Sequence, residues 1–216
     1  MVKKIKNDVY VYAEGGGSGA SSASLQAQFR QAFAEFFAKT DLGITRRPHV
    51  VPCGGREQAF DSFCTAIEQG RNALLLVDSE TSVNSTHEPP PPNNWKPWAH
   101  LKVQAGWEKP KRAKDDDCHL MVECMENWFL ADKKKVEAFF GQGFKMAALP
   151  DRAIETVPKA MVYAALQTAT QDCKTKAAYG KGAHSFKLLQ LIDPAKVEAA
   201  SPWAKRFLDE LRKRKP

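Results

Sequence analysis

Three acidic residues follow two predicted strands of the chain, at the points where those strands end. Glu14 comes directly after the β-branched and aromatic run 8–13, and Asp78 and Glu80 come after the run 72–77, which is apolar from Ala73 onward. Carboxyl ends of parallel strands meet at one edge of a sheet, and residues i and i+2 of a strand point to the same side. Carboxylate oxygens are ligands that Mg²⁺ prefers in proteins. The sequence therefore predicts a Mg²⁺ or Mn²⁺ site at Glu14, Asp78 and Glu80; alternatively, each acid only caps the turn or helix after it.

Basic side chains at two predicted helix starts are candidates for binding phosphate. Lys181 and His184 lie between glycines just before a helix that begins near Ser185, and Arg56 opens a helix after two glycines. Helix N-termini favour anions, and cationic side chains beside them add charge-assisted hydrogen bonds. We predict that Arg56, Lys181 and His184 contact a substrate phosphate. The alternative is a loop packed by Tyr179 with solvated charges around it.

The loop after Glu14 is rich in glycine, and two interpretations stay open. Gly15–Ala20 loosely matches a dinucleotide-binding fingerprint, in which glycines let the backbone approach a phosphate. No acidic residue closes the second predicted strand to bind a ribose, and Glu14 would repel a pyrophosphate. No Gly-Lys-Ser/Thr follows, which excludes a Walker loop. The loop either contacts phosphate or is only a tight turn into a helix.

Strands and helices alternate over the first part of the chain. Such β-α-β-α-β order predicts an α/β fold with a parallel sheet flanked by helices. A fourth strand is predicted at 119–124, with a helical turn at 125–131 after it. Pro158 marks a helix start or a kink. The other predicted strands are 8–13, 49–52 and 72–77, and the predicted helices are 24–39, 56–69, 136–140, 153–170, 186–192 and 201–215.

The segment 81–117 interrupts this alternation with four consecutive prolines, three tryptophans and a basic cluster. We predict a long insertion that leaves the sheet domain, and long loops of this kind are usually functional or disordered. Its tryptophans and lysines suit either unpaired nucleic acid or a partner protein. The basic residues expected at its surface are Lys109, Lys111, Arg112 and Lys114.

The predicted domain organisation is an α/β core over 1–132, which includes the insertion, and a helical C-terminal region over 133–216 that packs on the core. The net charge of +7 favours anionic partners such as nucleic acid. Five cysteines without a C-x-x-C pair argue against a disulfide framework and a zinc ribbon. No run approaches the roughly 18 apolar residues of a membrane span. We therefore expect a cytoplasmic protein without a classical signal and without a membrane partner.

A strand that ends in Glu14 and continues into glycines, followed by a later strand that ends in Asp78-x-Glu80, resembles the TOPRIM domain of topoisomerases, primases and related nucleases. TOPRIM domains carry Asp-x-Asp at the second position. The glutamate at Glu80 keeps a carboxylate there but lengthens its reach. The resemblance implies a TOPRIM-like sheet and metal-dependent phosphodiester chemistry.

The whole chain more closely resembles a bacterial TOPRIM-like family of unknown function that is often encoded beside ATPases in phage-defence loci. This resemblance implies an ATPase partner and the role of an antiphage effector. The matching blocks are Val11–Gly17, Leu75–Glu80, His119–Val122, Met125–Asp132 and Tyr179–His184.

The leading hypothesis from these residues is a Mg²⁺- or Mn²⁺-dependent nuclease acting on DNA or RNA. In this hypothesis Lys181 is an electrophilic group at the phosphate. The resemblance implies Glu126 as a further ligand or base, and the alternative is that Glu126 is a solvent-facing helix residue. His119 lies in a matching block and is either an imidazole of the same site or a core histidine. Two rival hypotheses remain: a non-catalytic TOPRIM-like interaction module of such a complex, and a nucleotide-binding enzyme that uses the glycine-rich loop.

Overall fold

The structure is a computed structural model that describes residues 8–17, 22–43, 47–87 and 95–214. Within these ranges the chain forms four β-strands and eight α-helices, joined by loops and short 3-10 turns. The elements are β1 Tyr10–Ala13, α1 Ala23–Ala38, β2 His49–Pro52, α2 Arg56–Glu68, β3 Ala73–Asp78, α3 Pro97–Ala105, β4 Cys118–Met121, α4 Lys133–Phe140, α5 Lys159–Thr170, α6 Ser185–Leu191, α7 Pro194–Ala200 and α8 Pro202–Lys213.

The four strands form one parallel sheet in the order β2-β1-β3-β4. β3 is buried at every residue, with Leu74 and Leu76 in one hydrophobic core and Leu75 and Val77 in the other. Successive residues of a strand point to opposite faces, so a strand covered on both sides is apolar at almost every position. The predicted α/β fold with a parallel sheet flanked by helices is confirmed.

One hydrophobic core joins the sheet to the helices of the C-terminal half. From α1, Phe29 contacts Phe186 of α6 with ring centroids 5.3 Å apart, and Phe37 contacts Phe207 of α8 at 6.1 Å. Aromatic side chains bury more apolar area than most others, so these contacts hold α6 and α8 against α1. The described part of the predicted helical region 133–216 therefore shares the core of the sheet.

The second core contains much of the segment that was expected to leave the sheet domain. α3 lies on the chain between β3 and β4, and its Trp98 and Leu101 are buried beside the sheet. Trp107 stacks on Phe60 of α2, with ring centroids 4.4 Å apart. The expectation for 81–117 is wrong over the described residues of that segment, because its large aromatic side chains cover the sheet and α2. This part of the chain is the helical crossover between two parallel strands.

The surface position predicted for the basic residues of this segment is confirmed, since Lys109, Lys111, Arg112 and Lys114 are exposed. Residues 88–94, which include the four consecutive prolines, lie outside the described ranges. Among the described helices, none combines the length and the apolar character that crossing a membrane requires.

Candidate metal centre

Glu14 and Asp78 lie at the carboxyl ends of two adjacent strands, at the point where the order of the sheet changes direction. β1 has β2 on one side and β3 on the other, and such a switch point is where open α/β sheets bind ligands. Glu14 follows β1, and Asp78 is the last residue of β3. Glu14, Asp78 and Glu80, here called the acidic cluster, place one oxygen each within 4.8 Å of one another. The predicted convergence of the three carboxylates is confirmed.

Glu80 reaches the cluster through a turn and not through strand alternation. β3 ends at Asp78, and Glu80 has a φ of +67°, in the left-handed region that residues other than glycine seldom adopt. The N–H of Glu80 donates to the carbonyl oxygen of Glu123 at 3.0 Å, which fixes the turn. The argument that the i and i+2 positions of a strand align Asp78 with Glu80 is therefore wrong, although the two acids do converge. Unusual backbone of this kind is concentrated at functional sites.

The glycine after Glu14 is required by close packing. A Cβ atom at Gly15 would lie 2.4 Å from the ring of Phe29, and the φ of Gly15 is +131°. Gly15 also exchanges two backbone hydrogen bonds with Gly54, at 2.9 and 2.8 Å, which ties the loop after β1 to the loop before α2. These contacts hold the backbone next to Glu14 in place. Residues 18–21 of the same loop lie outside the described ranges, so its contact with phosphate stays a prediction.

A lysine that the sequence did not indicate lies in the acidic cluster. The Nζ of Lys159 is 3.1 Å from Asp78 Oδ2 and 2.8 Å from both carboxylate oxygens of Glu80. Lys159 is the first residue of α5, and its backbone N–H donates to Glu123 Oε2 at 2.8 Å. Pro158 marks the start of this helix, which was one of its two predicted meanings. Nothing in the spacing of the sequence connects Lys159 with acids about 80 positions earlier.

Burial and mutual repulsion change the protonation of the cluster. Burial raises the pKa of Asp78 to about 7, with Glu14 acting in the same direction and Lys159 against it. The pKa of Glu14 is also raised, first by burial and then by Glu80, against the cations Lys159, Arg56 and Lys181. For Lys159, burial acts to lower the pKa, but the contacts with Asp78 and Glu80 outweigh it and raise the pKa. Lys159 is therefore cationic, whereas Asp78 titrates near neutral pH.

Glu126 is fully buried beside the cluster and is held by three hydroxyl groups. Tyr179 and Ser185 donate to its Oε1 and Tyr163 donates to its Oε2, each at 3.1 Å. Burial, reinforced by Glu126, raises the pKa values of Tyr163 and Tyr179, so both phenols stay protonated and remain donors. Glu126 occupies the first 3-10 turn after β4, where the predicted helical turn lies. Its carboxylate is fixed in orientation by these donors.

A cavity of about 280 Å³ lies over the cluster and brings several predicted residues together. Lys181 is part of its wall, with Nζ 5.4 Å from the centroid of the Tyr163 ring. Polar groups form one part of the lining and apolar side chains another. The lining residues are Glu14, Gly15, Gly16, Gly17, Leu25, Phe29, Gly54, Asp78, Met121, Met125, Glu126, Lys181, Gly182, Ser185 and Phe186.

Arg56 lies beside Glu14 at the start of α2. Its Nε is 4.0 Å from Glu14 Oε2, and its guanidinium lies 4.8 Å from the centroid of the Trp107 ring. The buried atoms Arg56 Nε, Arg56 Nη2 and Glu14 Oε2 make no hydrogen bond to the described residues. Buried polar groups are nearly always hydrogen-bonded, so these atoms have hydrogen-bonding capacity left for a water molecule or a ligand.

A family model described as "Domain of unknown function (DUF4276)" matches residues 18–212 of the chain. The protein belongs to the DUF4276 family. No curated protein and no solved structure matches this chain. The matched range of the DUF4276 domain contains Asp78, Glu80, Glu126 and Lys159, whereas Glu14 precedes it.

The structure of this DUF4276 domain separates His184 from the other predicted site residues. His184 Nδ1 accepts a hydrogen bond from the N–H of Gly180 at 3.1 Å, and its ring lies 5.2 Å from that of Phe140. Burial lowers the pKa of His184, which favours the neutral ring. It does not line the cavity described above. The role of His184 at a phosphate stays a prediction, without support from its position.

Proposed function

We propose that this protein is a Mg²⁺- or Mn²⁺-dependent TOPRIM-like nuclease that hydrolyses phosphodiester bonds in DNA or RNA. The observation that supports it most is the acidic cluster, in which three carboxylates from two adjacent strand ends converge beside a cavity. Carboxylates this close disfavour one another's ionisation unless cations neutralise them. Perturbed carboxylates in a cleft are a frequent property of catalytic sites.

The donor set fits a hard divalent cation. Mg²⁺ is bound in proteins by carboxylate oxygens, together with waters and substrate phosphates. Glu14 Oε2 is buried and makes no hydrogen bond to the described residues, so it is an acceptor left for a ligand. Glu14, Asp78 and Glu80 would hold the ion, which when bound supplies an activated water and charge stabilisation at the phosphate.

The protein's own side chains around the cluster have distinct tasks in this proposal. Lys181, in the cavity wall, binds and orients the phosphate, and Arg56 adds guanidinium donors at the start of α2. Glu126 already accepts three hydroxyl hydrogen bonds. This arrangement suits orienting the neighbouring groups better than removing a proton from water. We therefore assign Glu126 a positioning role within the site.

The nucleic-acid substrate and the partner are proposals of the same kind. A net charge of +7 and the exposed basic residues between α3 and β4 favour a polyanionic substrate. The resemblance described above supports an ATPase partner and a role as an antiphage effector, and the free cysteines favour a reducing, cytoplasmic setting.

One observation favours a second candidate function. Lys159 already compensates two of the three acids, with contacts of 2.8 to 3.1 Å. An acidic site neutralised by a lysine can be stable without a metal. A non-catalytic TOPRIM-like module would require such stability. The resemblance to nucleotide-binding loops has no comparable support, since residues 18–21 lie outside the described ranges.

Calorimetric titration with Mn²⁺ followed by a cleavage assay tests the proposal. The purified protein should bind Mn²⁺, and the Glu14→Gln variant should bind it far more weakly because one ligand is lost. Cleavage of single- and double-stranded DNA and RNA should then be measured with the cognate ATPase present, since an effector held inactive would resemble a dead enzyme. Binding without cleavage in the complete, triggered system would contradict the nuclease and favour the interaction module.

A further inference from the structure

The ammonium of Lys159 forms ion pairs with Asp78 and Glu80, two of the three acids that would hold the metal. We propose that this ammonium is an internal counter-ion that competes with the divalent cation, so that the metal binds the acidic cluster only after Lys159 leaves these carboxylates. This inference concerns the regulation of the proposed metal site and rests on that proposal.

The ammonium of Lys159 directly contacts two of the three acids of the acidic cluster. Lys159 Nζ lies 3.1 Å from Asp78 Oδ2 and 2.8 Å from each carboxylate oxygen of Glu80, so one ammonium engages two of the three candidate ligands. An ammonium has three N–H donors and no acceptor, and here the carboxylates use that donor capacity. The positive charge of Lys159 therefore already contacts two of the three carboxylates that would hold an ion.

The fold fixes the backbone of Lys159, from which its side chain extends. Lys159 follows Pro158 at the start of α5, and its N–H is bound by the buried carboxylate of Glu123 at 2.8 Å. Tyr163, one turn further along α5, donates to Glu126. These bonds hold the first turn of α5 in place, so Lys159 can move away from the acids by rotation of its own side chain. That side chain is 21% exposed, which gives the ammonium a route towards solvent.

Electrostatic repulsion opposes binding of a divalent ion while the ammonium of Lys159 contacts the same carboxylates. A divalent ion and an ammonium that share carboxylate oxygens would be only a few ångströms apart, and like charges at that distance repel strongly in a partly buried site. Asp78 is 4% exposed, so water screens this repulsion poorly. Occupation by one cation therefore opposes occupation by the other. The metal affinity of the resting protein is reduced by the free energy needed to displace Lys159.

A comparison of two lysine variants tests this inference. Lys159→Met removes the ammonium and keeps much of the side-chain length, and Lys181→Met is the matched control. Lys181 lines the cavity beside the acidic cluster but makes no salt bridge to any described residue. Mn²⁺ affinity should be measured for the wild type and both variants by calorimetry or by electron paramagnetic resonance of free Mn²⁺. We expect Lys159→Met to bind Mn²⁺ on the order of tenfold tighter or more and Lys181→Met to change affinity by less, because only Lys159 contacts the ligands.

The outcomes separate this inference from the proposed function. Mn²⁺ binding with equal or weaker affinity in Lys159→Met than in the wild type overturns the competition and leaves the metal site intact. An equal gain in both lysine variants also overturns it, since a general loss of positive charge would then explain the effect. If the wild type and both variants bind no Mn²⁺ at millimolar concentration, the metal site itself is absent and the proposed function fails with it.

A second variant covers the case in which Lys159→Met does not fold, since its two acids lose their counter-ion. Lys159→Gln keeps an N–H donor for Asp78 and Glu80 but carries no charge. In a thermal melt, Mn²⁺ should raise the melting temperature of Lys159→Gln more than that of the wild type, because the tighter complex stabilises the folded state more. An equal or smaller rise would overturn the proposal.

Discussion

Two clusters of charged groups, each containing one buried charge, lie at different places on the same sheet, and they differ in how their charges are matched. In the acidic cluster, carboxylates meet one another, and Lys159 compensates only part of their charge. At the start of β4, the single guanidinium of Arg206 meets carbonyl oxygens, a neutral imidazole and one carboxylate. We call this second group the Arg206 cluster, formed by Arg206, His119 and Asp116.

The hydrogen bonds of the Arg206 cluster connect α8 to β4. Arg206 Nη1 donates to the carbonyl oxygen of Cys118 at 2.7 Å and to His119 Nδ1 at 3.0 Å, and Nη2 donates to Asp116 Oδ1 at 3.2 Å. Burial and the nearby Arg206 hold the pKa of His119 well below its usual range, so the imidazole is neutral and can accept. His119 therefore serves the core, and it does not join the acidic cluster.

The two clusters indicate how a buried charge that serves stability can be distinguished from one that serves binding. The Arg206 cluster has opposite or complementary groups, and the guanidinium also lies near the rings of Trp95 and Trp203, 5.6 and 5.7 Å from their centroids. The acidic cluster instead holds three carboxylates that repel one another, with Lys159 against two of them. A buried polar atom without a hydrogen bond and an adjoining cavity do not separate the two clusters, because Arg206 Nε makes no hydrogen bond to the described residues and Arg206 and Asp116 also line a cavity. Evolution of a stable core alone would not favour such a convergence of carboxylates, whereas binding of a cation would.

The largest expected effect comes from removing one acid of the acidic cluster. Glu14→Gln and Asp78→Asn should each lower metal-dependent cleavage by about a thousandfold or more, because the ion loses a ligand and its position at the phosphate. Neither substitution should lower the melting temperature by much. In the absence of metal, Asp78→Asn should raise it, because the substitution relieves repulsion between carboxylates. Cleavage by the complete system, together with melting temperatures, measures both effects.

Asp116→Asn is the matched control for these variants, since it removes a carboxylate from the Arg206 cluster instead. Its side chain is 62% exposed, so its ion pair contributes at most about 1 kcal/mol. Cleavage should stay at the wild-type level. Wild-type cleavage by Asp78→Asn in the triggered system would show that the metal-nuclease proposal is wrong.

For the Arg206 cluster we expect the opposite pattern, in which a substitution lowers stability and leaves metal binding unchanged. Arg206→Ala should lower the free energy of unfolding by about 1–3 kcal/mol for each buried acceptor that it leaves without a donor, as at Cys118 and His119. Mn²⁺ affinity should be unchanged in the folded fraction, since Arg206 lies outside the acidic cluster. Chemical denaturation and Mn²⁺ titration measure the two quantities, and Lys205→Ala, an exposed neighbour on α8, is the control. A loss of Mn²⁺ affinity at full folding would show that the two clusters are not independent.

The first half of the fold was predictable because its elements follow simple periodic rules. The wholly apolar run before Asp78 gave β3, and the spacing of phenylalanines gave α1. The segment between β3 and β4 was not predictable, since four prolines and a cluster of charges obscured the helix α3. Its tryptophans carried the relevant signal, because side chains of that size are usually buried.

The candidate site was predictable only where a residue ends a strand. Glu14 and Asp78 follow from that rule, whereas Lys159 comes from a distant helix, and only tertiary packing brings it to the acids. Glu80 was identified correctly, but the positive φ that directs it has no signature in a non-glycine residue. Tyr163 was missed because its role, holding Glu126, depends on the way α5 packs against the turn after β4.

A smaller effect on cleavage is expected from Lys181. Lys181→Ala removes one cation from the cavity wall, so the drop should be on the order of ten- to a thousandfold, because a phosphate contact supplies only part of the transition-state stabilisation. Mn²⁺ affinity should change much less than cleavage. Titration and steady-state kinetics of the complete system measure these separately. If Lys181→Ala cleaves like the wild type, phosphate recognition depends on other residues, of which Arg56 is the first to test.

The smallest expected effect is a pH dependence that only the acidic cluster should show. Burial and Glu14 raise the pKa of Asp78 to about 7, above the value of about 4 that it has in an unfolded chain. A group whose pKa is higher in the folded protein stabilises the fold fully at pH values below its pKa in the unfolded chain. This stabilisation is lost as the pH rises through its pKa in the folded protein. Without metal, the melting temperature of the wild type should therefore fall relative to that of Asp78→Asn between about pH 5 and pH 8.

The difference between the two proteins is the quantity to measure, because other groups titrate in both. His184, whose pKa is lowered, acts in the opposite direction over the same range and cancels in the comparison. The Arg206 cluster should contribute nothing there, since His119 stays neutral. With Mn²⁺ present, the melting temperature of the wild type should instead rise with pH relative to that of Asp78→Asn, because deprotonated Asp78 is the form that binds the ion. The affinity of the wild type for Mn²⁺ should accordingly rise from pH 5 to pH 8. Parallel melting curves for the wild type and Asp78→Asn across this range would show that Asp78 is not the titrating group and that the two clusters do not differ in this respect.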